Sequence, residues 1–417
     1  MKSKIREYFK AHRDEIRKKS LKLLSEMVAV RSVNCGKAQL SDHPYLKISG
    51  EESKVVDILK RYFDAAGIDY KVYEMIEGRG NIIATYGEGK KSLCIGCHLD
   101  VVPAGERAEW ASDPWVMTEK DGKVYGRGGN AHQALVLLAF LFTELVDDHS
   151  GRVRQLIAGE TEQFFAHRLA GEEFREKDEP DPGIAFVTSK GYLKPTFAII
   201  PDIGGHMMKI DIAEKGRTVI KVKSHGKQAH GSTPELGINA IEKLAHFIAK
   251  VEKFELKHEH HPILKKPSVN LGIIRGGSAA NNVANYAEAI YDIRYVPGQS
   301  AEGIVADMRS CTEGIKDGRF EFEILDNNPP HQVDPDNILV KTIQSNAREI
   351  IGREPEPFGM GGGTFAKPFN LAGILAVGFG PGDADDFHVA NEALDIEEML
   401  QFIELIACIS CDLLGVN

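Results

Sequence analysis

Long apolar runs are the first thing this sequence lacks. No stretch is long and apolar enough to span a bilayer, and the opening MKSKIREYFKAHRDEIRKKSLKLLSEM is charged throughout, without the apolar core of a signal peptide. The expected location is the cytoplasm, with no membrane partner. Positive charge is also short: 51 Lys plus Arg stand against 61 Asp plus Glu, a formal charge of −10. No Lys/Arg run offsets that balance, so nucleic acid is not an expected partner either. Cysteine is sparse and scattered, at Cys35, Cys94, Cys97, Cys311, Cys408 and Cys411. The spacings 94–97 and 408–411 are C-x-x-C, but neither opens a helix as a redox pair does, and together they make no zinc ribbon. Reduced core cysteines are the expectation. Internal repeats and low-complexity tracts are missing too.

What is present is ordinary globular composition, 42% hydrophobic and 27% charged, in 417 residues, more than one core ordinarily serves. Ile5, Phe9, Ile16, Leu21, Leu24 and Met27 recur near helical spacing and predict one amphipathic helix over 4–30. A second helix is expected at about 51–66, with Gly67 as its C-cap. KVYEM, NIIATYG, SLCIGCHLDVV, VRQLIAG and TFAIIPD read as strands, and HQALVLLAFLFTELV as a buried helix. This alternation predicts an α/β fold, a mixed, mostly parallel sheet covered by helices.

The pattern changes near residue 206. KIDIAEKGRTVIKV (209–222) reads as a polar-faced antiparallel strand pair. Helices follow in INAIEKLAHFIAKVEKF and AEGIVADMRSCTEGI, and strands in SVNLGIIRGG, AEAIYDIRYVP and RFEFEIL. The β-α-β-β-α-β order suits a small two-layer α+β domain. After DNNPPHQVDPDN the α/β pattern resumes with a helix near 337–351, the strand ILAVGFG and a last helix from about 396. The expected organisation is therefore a domain of residues 207–327 inserted into one formed by 1–206 and 328–417.

The strongest chemical signal is His98-Leu99-Asp100 directly after an apolar strand. In parallel sheets ligand sites lie beyond the carboxyl ends of the strands. There a His can bind a metal through one ring nitrogen while an Asp holds the other; an unremarkable strand-end turn is the alternative. Further polar segments follow in order: Tyr125-Gly126-Arg127-Gly128, Pro201-Asp202, Gly361-Gly362-Gly363-Thr364 and Phe387-His388-Val389-Ala390-Asn391-Glu392. Between them come Gly226-Lys227-Gln228-Ala229-His230, Gly237-Ile238-Asn239-Ala240, Arg275-Gly276-Gly277 and Asp292-Ile293-Arg294.

With these collinear motifs, from about Leu24 onward, the sequence resembles the zinc aminoacylase, acetylornithine deacetylase, succinyl-diaminopimelate desuccinylase, carboxypeptidase G and dipeptidase family of metallo-exopeptidases. The resemblance implies a zinc-exopeptidase fold with an inserted lid, a homodimer formed through that lid, two zinc ions, and an N-acyl amino acid or small peptide as substrate. It implies His98 as a ligand oriented by Asp100, Asp202 and His388 as further ligands, and Glu162 as general base. His230 becomes the group that polarises the scissile carbonyl from the partner's lid. Asn282 and Arg294 become contacts to the substrate carboxylate, although for Arg294 a surface salt bridge stands as the alternative. Gly362 and Gly363 allow backbone N–H groups close to a carboxylate.

Two metal positions depart from the family. The bridging Asp is replaced by Ala131, which has no donor atom, and a ligand Glu by Gln163. Glu160 takes Gln163's place only if the strand end slips by three residues, which reverses its facing. His132 adjoins the lost ligand, but one residue at a helix start turns a side chain by about 100°. Two divalent ions about 3.5 Å apart repel by roughly 19 kcal/mol at an effective dielectric of about 20, and the bridging carboxylate chiefly offsets that. The expectation is at most one weakly bound zinc. Drift in a natural homologue and deliberate silencing of a site both give such replacements; Thr161 and His132 also depart, as drift does. An amide or peptide hydrolase, impaired or silenced, is the leading expectation. The alternative is a metal-poor homologue that binds a small ligand or catalyses different chemistry in the same pocket.

Overall fold

Apolar periodicity from Ile5 to Met27 produces two helices rather than one, α1 (Lys2–Ala11) and α2 (Arg13–Val28). The break is at His12, whose backbone (φ −114, ψ 17) leaves the helical region. Its ring Nδ1 lies 3.0 Å from the Tyr8 carbonyl, which also accepts from the His12 N–H at 2.9 Å. The computed structural model describes residues 2–33, 51–76, 79–87, 89–128, 154–160 and 183–415. The helix expected at 132–146, together with Cys35, Ala131, His132, Thr161, Glu162 and Gln163, lies outside the described residues.

In chain order there follow α3 (Glu52–Ala66), β1 (Asp69–Ile76), β2 (Arg79–Tyr86), β3 (Ser92–His98), β4 (Thr118–Lys120), β5 (Lys123–Tyr125), β6 (Arg154–Glu160), α4 (Ile184–Ser189), β7 (Phe197–Ile200) and β8 (Lys209–Glu214). Then come β9 (Gly216–His225), α5 (Ala240–Val251), β10 (Ser268–Gly276), β11 (Tyr286–Tyr295), α6 (Ala301–Ser310), β12 (Arg319–Asn328) and β13 (His331–Gln332). The chain closes with α7 (Ile338–Ile350), β14 (Glu356–Met360), α8 (Ala366–Leu371), β15 (Leu375–Gly378), β16 (Ala393–Asp395) and α9 (Ile396–Leu414). The end of α3 is set by Gly67, whose left-handed φ of 65° lets its N–H return to the last turn.

The residues divide into two compact units: Met1–Ile212 with Val333–Phe358 and Thr364–Asn417, and Ala213–Gln332 with Gly359–Gly363. The first is built on a mixed sheet in the order β1-β2-β6-β3-β7-β15-β8. Its centre is parallel: β6 with β3, β3 with β7, and β7 with β15. Antiparallel pairs flank it, β1 with β2, β2 with β6, and β15 with β8. Every residue of β3 and β7 is buried, which explains why SLCIGC and FAII read as continuous apolar runs instead of alternating ones. Among the described residues no helix is long and apolar enough to cross a membrane.

The strand pair predicted within 209–222 does not form. β8 joins the sheet of the first unit, whereas β9 lies in a separate four-stranded sheet. Residues 210–214 are all buried, Asp211 and Glu214 included, so the alternation that read as a solvent face belongs to an enclosed strand.

The second unit is an antiparallel sheet, β10-β11-β9-β12, with α5 and α6 packed against it in the β-α-β-β-α-β order expected. Asn239 caps α5 and Ser300 caps α6 through side-chain oxygens. Phe247 on α5 is fully buried, with ring centroids 5.4 Å from Phe320, 5.8 Å from Phe322 and 6.3 Å from Tyr291. Truncation there removes an aromatic anchor at once from helix and sheet packing. Phe247→Ala is expected to destabilise the unit by about 3–5 kcal/mol, measured as a fall in its urea midpoint; a loss below about 1 kcal/mol would show that this ring does not hold the core.

Candidate active site

The apolar run of β3 is fully enclosed until it ends in His98, itself 6% exposed. The ring is fixed through Nδ1, which donates to the main-chain carbonyl of Asp100 at 2.5 Å. The Asp100 carboxylate stands further off, with Oδ1 3.6 Å from Nδ1. The orienting acceptor is thus the backbone of Asp100 in place of the side chain expected, because the chain turns sharply one residue past His98. The same bond leaves the neutral ring's Nε2 as the lone-pair nitrogen. It lies 3.9 Å from Oδ1 of Asp202.

Asp202 follows β7, the strand beside β3, and is partly buried. Loss of hydration raises its carboxyl above the ordinary value; His98 opposes the rise and Asp100 adds to it. His388 comes from the loop after β15 and sits in the left-handed region at φ 65. Although part of the ring is exposed, lost hydration and then the neighbouring His98 and Arg127 hold it below the usual imidazole range. His98, Asp202 and His388 line one cleft, together with Phe387, Arg127 and Glu392.

Arg127 and Glu392 also line this cleft, and the sequence alone assigns them no role. They form a buried ion pair at 2.8 Å, with side chains 2% and 5% exposed. The guanidinium also lies 5.1 Å from the Trp110 ring centroid. Next to it Asn391 accepts from Ala111 N–H at 2.7 Å and donates to the Glu109 carbonyl at 2.9 Å. The GRG segment, the Trp110 loop and the His388 segment are so tied together. The available signal was opposite charge inside two motifs already recognised, Tyr125–Gly128 and Phe387–Glu392.

The donor chemistry suits a divalent cation. An imidazole with its lone pair on Nε2 faces a carboxylate whose burial is poorly compensated, and two ligands on a tetrahedral zinc stand about 3.4 Å apart. Among the described residues no three His, Cys, Asp or Glu side chains are grouped closely enough to hold one ion.

In the second unit, His230 and Asn282 meet as an antiparallel backbone bridge. His230 is exposed, and Nδ1 accepts from the Ser232 N–H at 3.2 Å with Ser232 Oγ at 2.8 Å. The neutral ring therefore carries its hydrogen on Nε2. Arg294 lies on β11, where Nε donates to Asp292 at 2.9 Å, and Asp292 is also held by Arg217 at 2.6 Å. The salt bridge raised as an alternative is present. Gly362 has only Met360 within 4 Å of where a Cβ would stand, so nearby packing does not require a glycine there; Gly363 adjoins it.

Residues 212–316 match the peptidase dimerisation domain of the M20 peptidases. The chain is 27% identical to a probable succinyl-diaminopimelate desuccinylase of Staphylococcus aureus strain N315, over 93% of this chain and 96% of that protein. It is 28% identical to an acetylornithine deacetylase of Vibrio campbellii, over 83% and 87% of the two chains. A solved tripeptidase from Staphylococcus aureus has the same fold, with TM-score 0.72 at 20% identity over 96% of this chain and 99% of that one. With the resemblance in its motifs, the matched central domain and hydrolase relatives along most of its length, the chain is similar to metal-dependent peptidases and amidohydrolases that carry this dimerisation domain.

Proposed function

We propose that this chain is an amide or peptide hydrolase of the aminoacylase, desuccinylase and carboxypeptidase type, acting on an N-acyl amino acid or small peptide with an impaired metal centre. The observation that supports this most is the cleft in which His98, Asp202 and His388 come together beyond the carboxyl ends of adjacent strands. Cytoplasmic location is part of the reading, supported by Cys311, Cys408 and Cys411, which are buried thiols outside any disulfide. So is a lid formed by residues 207–327.

His98, Asp202 and His388, with Gln163, would hold zinc, and Asp100 would keep the His98 ring in place. When bound, the ion acidifies water and polarises the scissile carbonyl. Glu162 takes the proton of the attacking water and returns it to the leaving amine. His230 carries its hydrogen on Nε2, as a donor to a developing oxyanion must. Asn282, Arg294 and the Gly362-Gly363 backbone serve the substrate carboxylate; Arg294 can do so while Nε stays on Asp292, because its terminal nitrogens are separate donors. Since Ala131 offers no donor and Gln163 no charge, a metal-poor binding protein, or a catalyst of other chemistry in this cleft, is the second reading.

As isolated, the chain is expected to hold at most about one weakly bound zinc, by elemental analysis. Ala131→Asp combined with Gln163→Glu should raise that toward two and bring or increase hydrolysis of N-acyl amino acids or dipeptides, lost again with Glu162→Gln. Zinc uptake without any hydrolysis would favour the second reading, and no uptake would refute the ligand assignment. A homodimer through residues 207–327 is also expected, so sedimentation velocity at micromolar concentration should give twice the chain mass; a monomer there would remove the role of His230 across the dimer.

A further inference from the structure

The two loops that carry Asp202 and His388 are tied to one another outside the cleft. Beyond β7, four successive residues adopt left-handed backbone: Gly204 (φ 58), Gly205 (φ 100), His206 (φ 54) and Met207 (φ 56). Two of them bear side chains, for which that conformation is unfavourable, so the surrounding structure must hold it. Backbone bonds contribute: Gly205 and His206 N–H both donate to the Gly382 carbonyl, at 2.7 and 2.9 Å, and Met207 N–H donates to Gly380 at 3.1 Å. The loops touch so closely that a Cβ on Gly204 would stand 2.5 Å from Ala384 N.

Side chains complete the tie. His206 Nδ1 is 3.0 Å from Glu398 Oε2, and Nε2 is 3.5 Å from Asp383 Oδ2. The other Glu398 oxygen accepts from Gly382 N–H at 3.1 Å. Glu398 sits in the first turn of α9, where Asp395 caps its N–H at 2.9 Å. One carboxylate anchored on a long helix thus grips both loops, through His206 on one and Gly382 on the other. Only an imidazolium can donate from both nitrogens at once.

We infer that His206 is a positioning residue, a charged clasp that holds the Asp202 loop to the His388 loop through Glu398 and Asp383 and so sets the spacing of two metal ligands. The inference rests on the proposed ligand roles of Asp202 and His388. The groups facing the ring are Glu398 from α9 and Asp383 from the loop before it, and Lys123 on β5 acts on Asp383. The bond to Glu398 holds His206 above the ordinary imidazole value against the opposing effect of burial, with the charges of Glu398 and then Asp383 adding to the rise. A raised folded value makes the clasp whole below about pH 6.5 and loosens it as pH climbs through that raised value.

The test is zinc affinity by competition with a chromophoric chelator, across about pH 6 to 8.5, for the full chain and for His206→Asn, His206→Arg and Asp202→Asn. Ratios between variant and wild type cancel the titration of the ligands themselves. Asn tolerates left-handed backbone but carries no charge, so His206→Asn should bind zinc roughly fivefold more weakly near pH 6, with the deficit closing toward pH 8.5. His206→Arg keeps its charge throughout and should retain affinity near pH 6. Unchanged affinity in His206→Asn, while Asp202→Asn loses zinc, overturns the clasp alone. An equal loss at every pH in both His206 variants also overturns it, as a merely structural site. If Asp202→Asn binds zinc as the wild type does, the ligand reading itself fails, and the clasp's role in the metal site with it.

Discussion

Parallel pairing through β6, β3, β7 and β15 is the constraint from which the candidate site follows. Strands that run the same way release their following loops along one edge of the sheet, so His98, Asp202 and the segment leading to His388 leave from a common side. β3 and β7 are buried along their whole length and so are apolar, which leaves polar groups to gather where these strands end. Glu160 closes β6 directly opposite His98 in the register, and Glu162 and Gln163 follow it in sequence. The chemistry is thereby confined to one edge before any side chain is considered.

Features that depend on local pattern were legible in the sequence. α5 and α9 show helical periodicity over many residues, Gly67 stops α3, and the strand feeding His98 is marked by its unbroken apolar run. Other features depend on distant partners and could not be read that way. The pair Arg127–Glu392 joins residues 265 positions apart. The short strands β4, β5 and β16 form a sheet only because Ala393–Asp395 returns to Lys123–Tyr125. β8 looked polar-faced because burial of Asp211 and Glu214 is a tertiary fact, invisible to period-two alternation. At His12 the backbone leaves the helical region although the apolar positions of the pattern continue unbroken.

The site residues divide in the same way. His98, Asp202 and His388 were named from motifs and meet in one cleft. The role of Asp100 was read from residue type, but orientation of the His98 ring passes through the main-chain oxygen, which every residue has. Residue identity could not announce that bond.

Two kinds of charge share this cleft, and they differ in how each is matched. Arg127 and Glu392 are matched at 2.8 Å and enclosed together, so each charge has its counter-charge and the pair gains nothing from a further ion. Asp202 is not matched in that way. Its carboxyl is held above its normal range, and the nearby His98 Nε2, at 3.9 Å, is a lone-pair nitrogen whenever the ring is neutral. Such a pair leaves negative charge and an unprotonated nitrogen facing the same space. A cation relieves both at once, whereas a proton on either group relieves only part of the cost. The matched pair is a brace that fixes where the segments lie, and the unmatched pair is where binding energy remains to be gained.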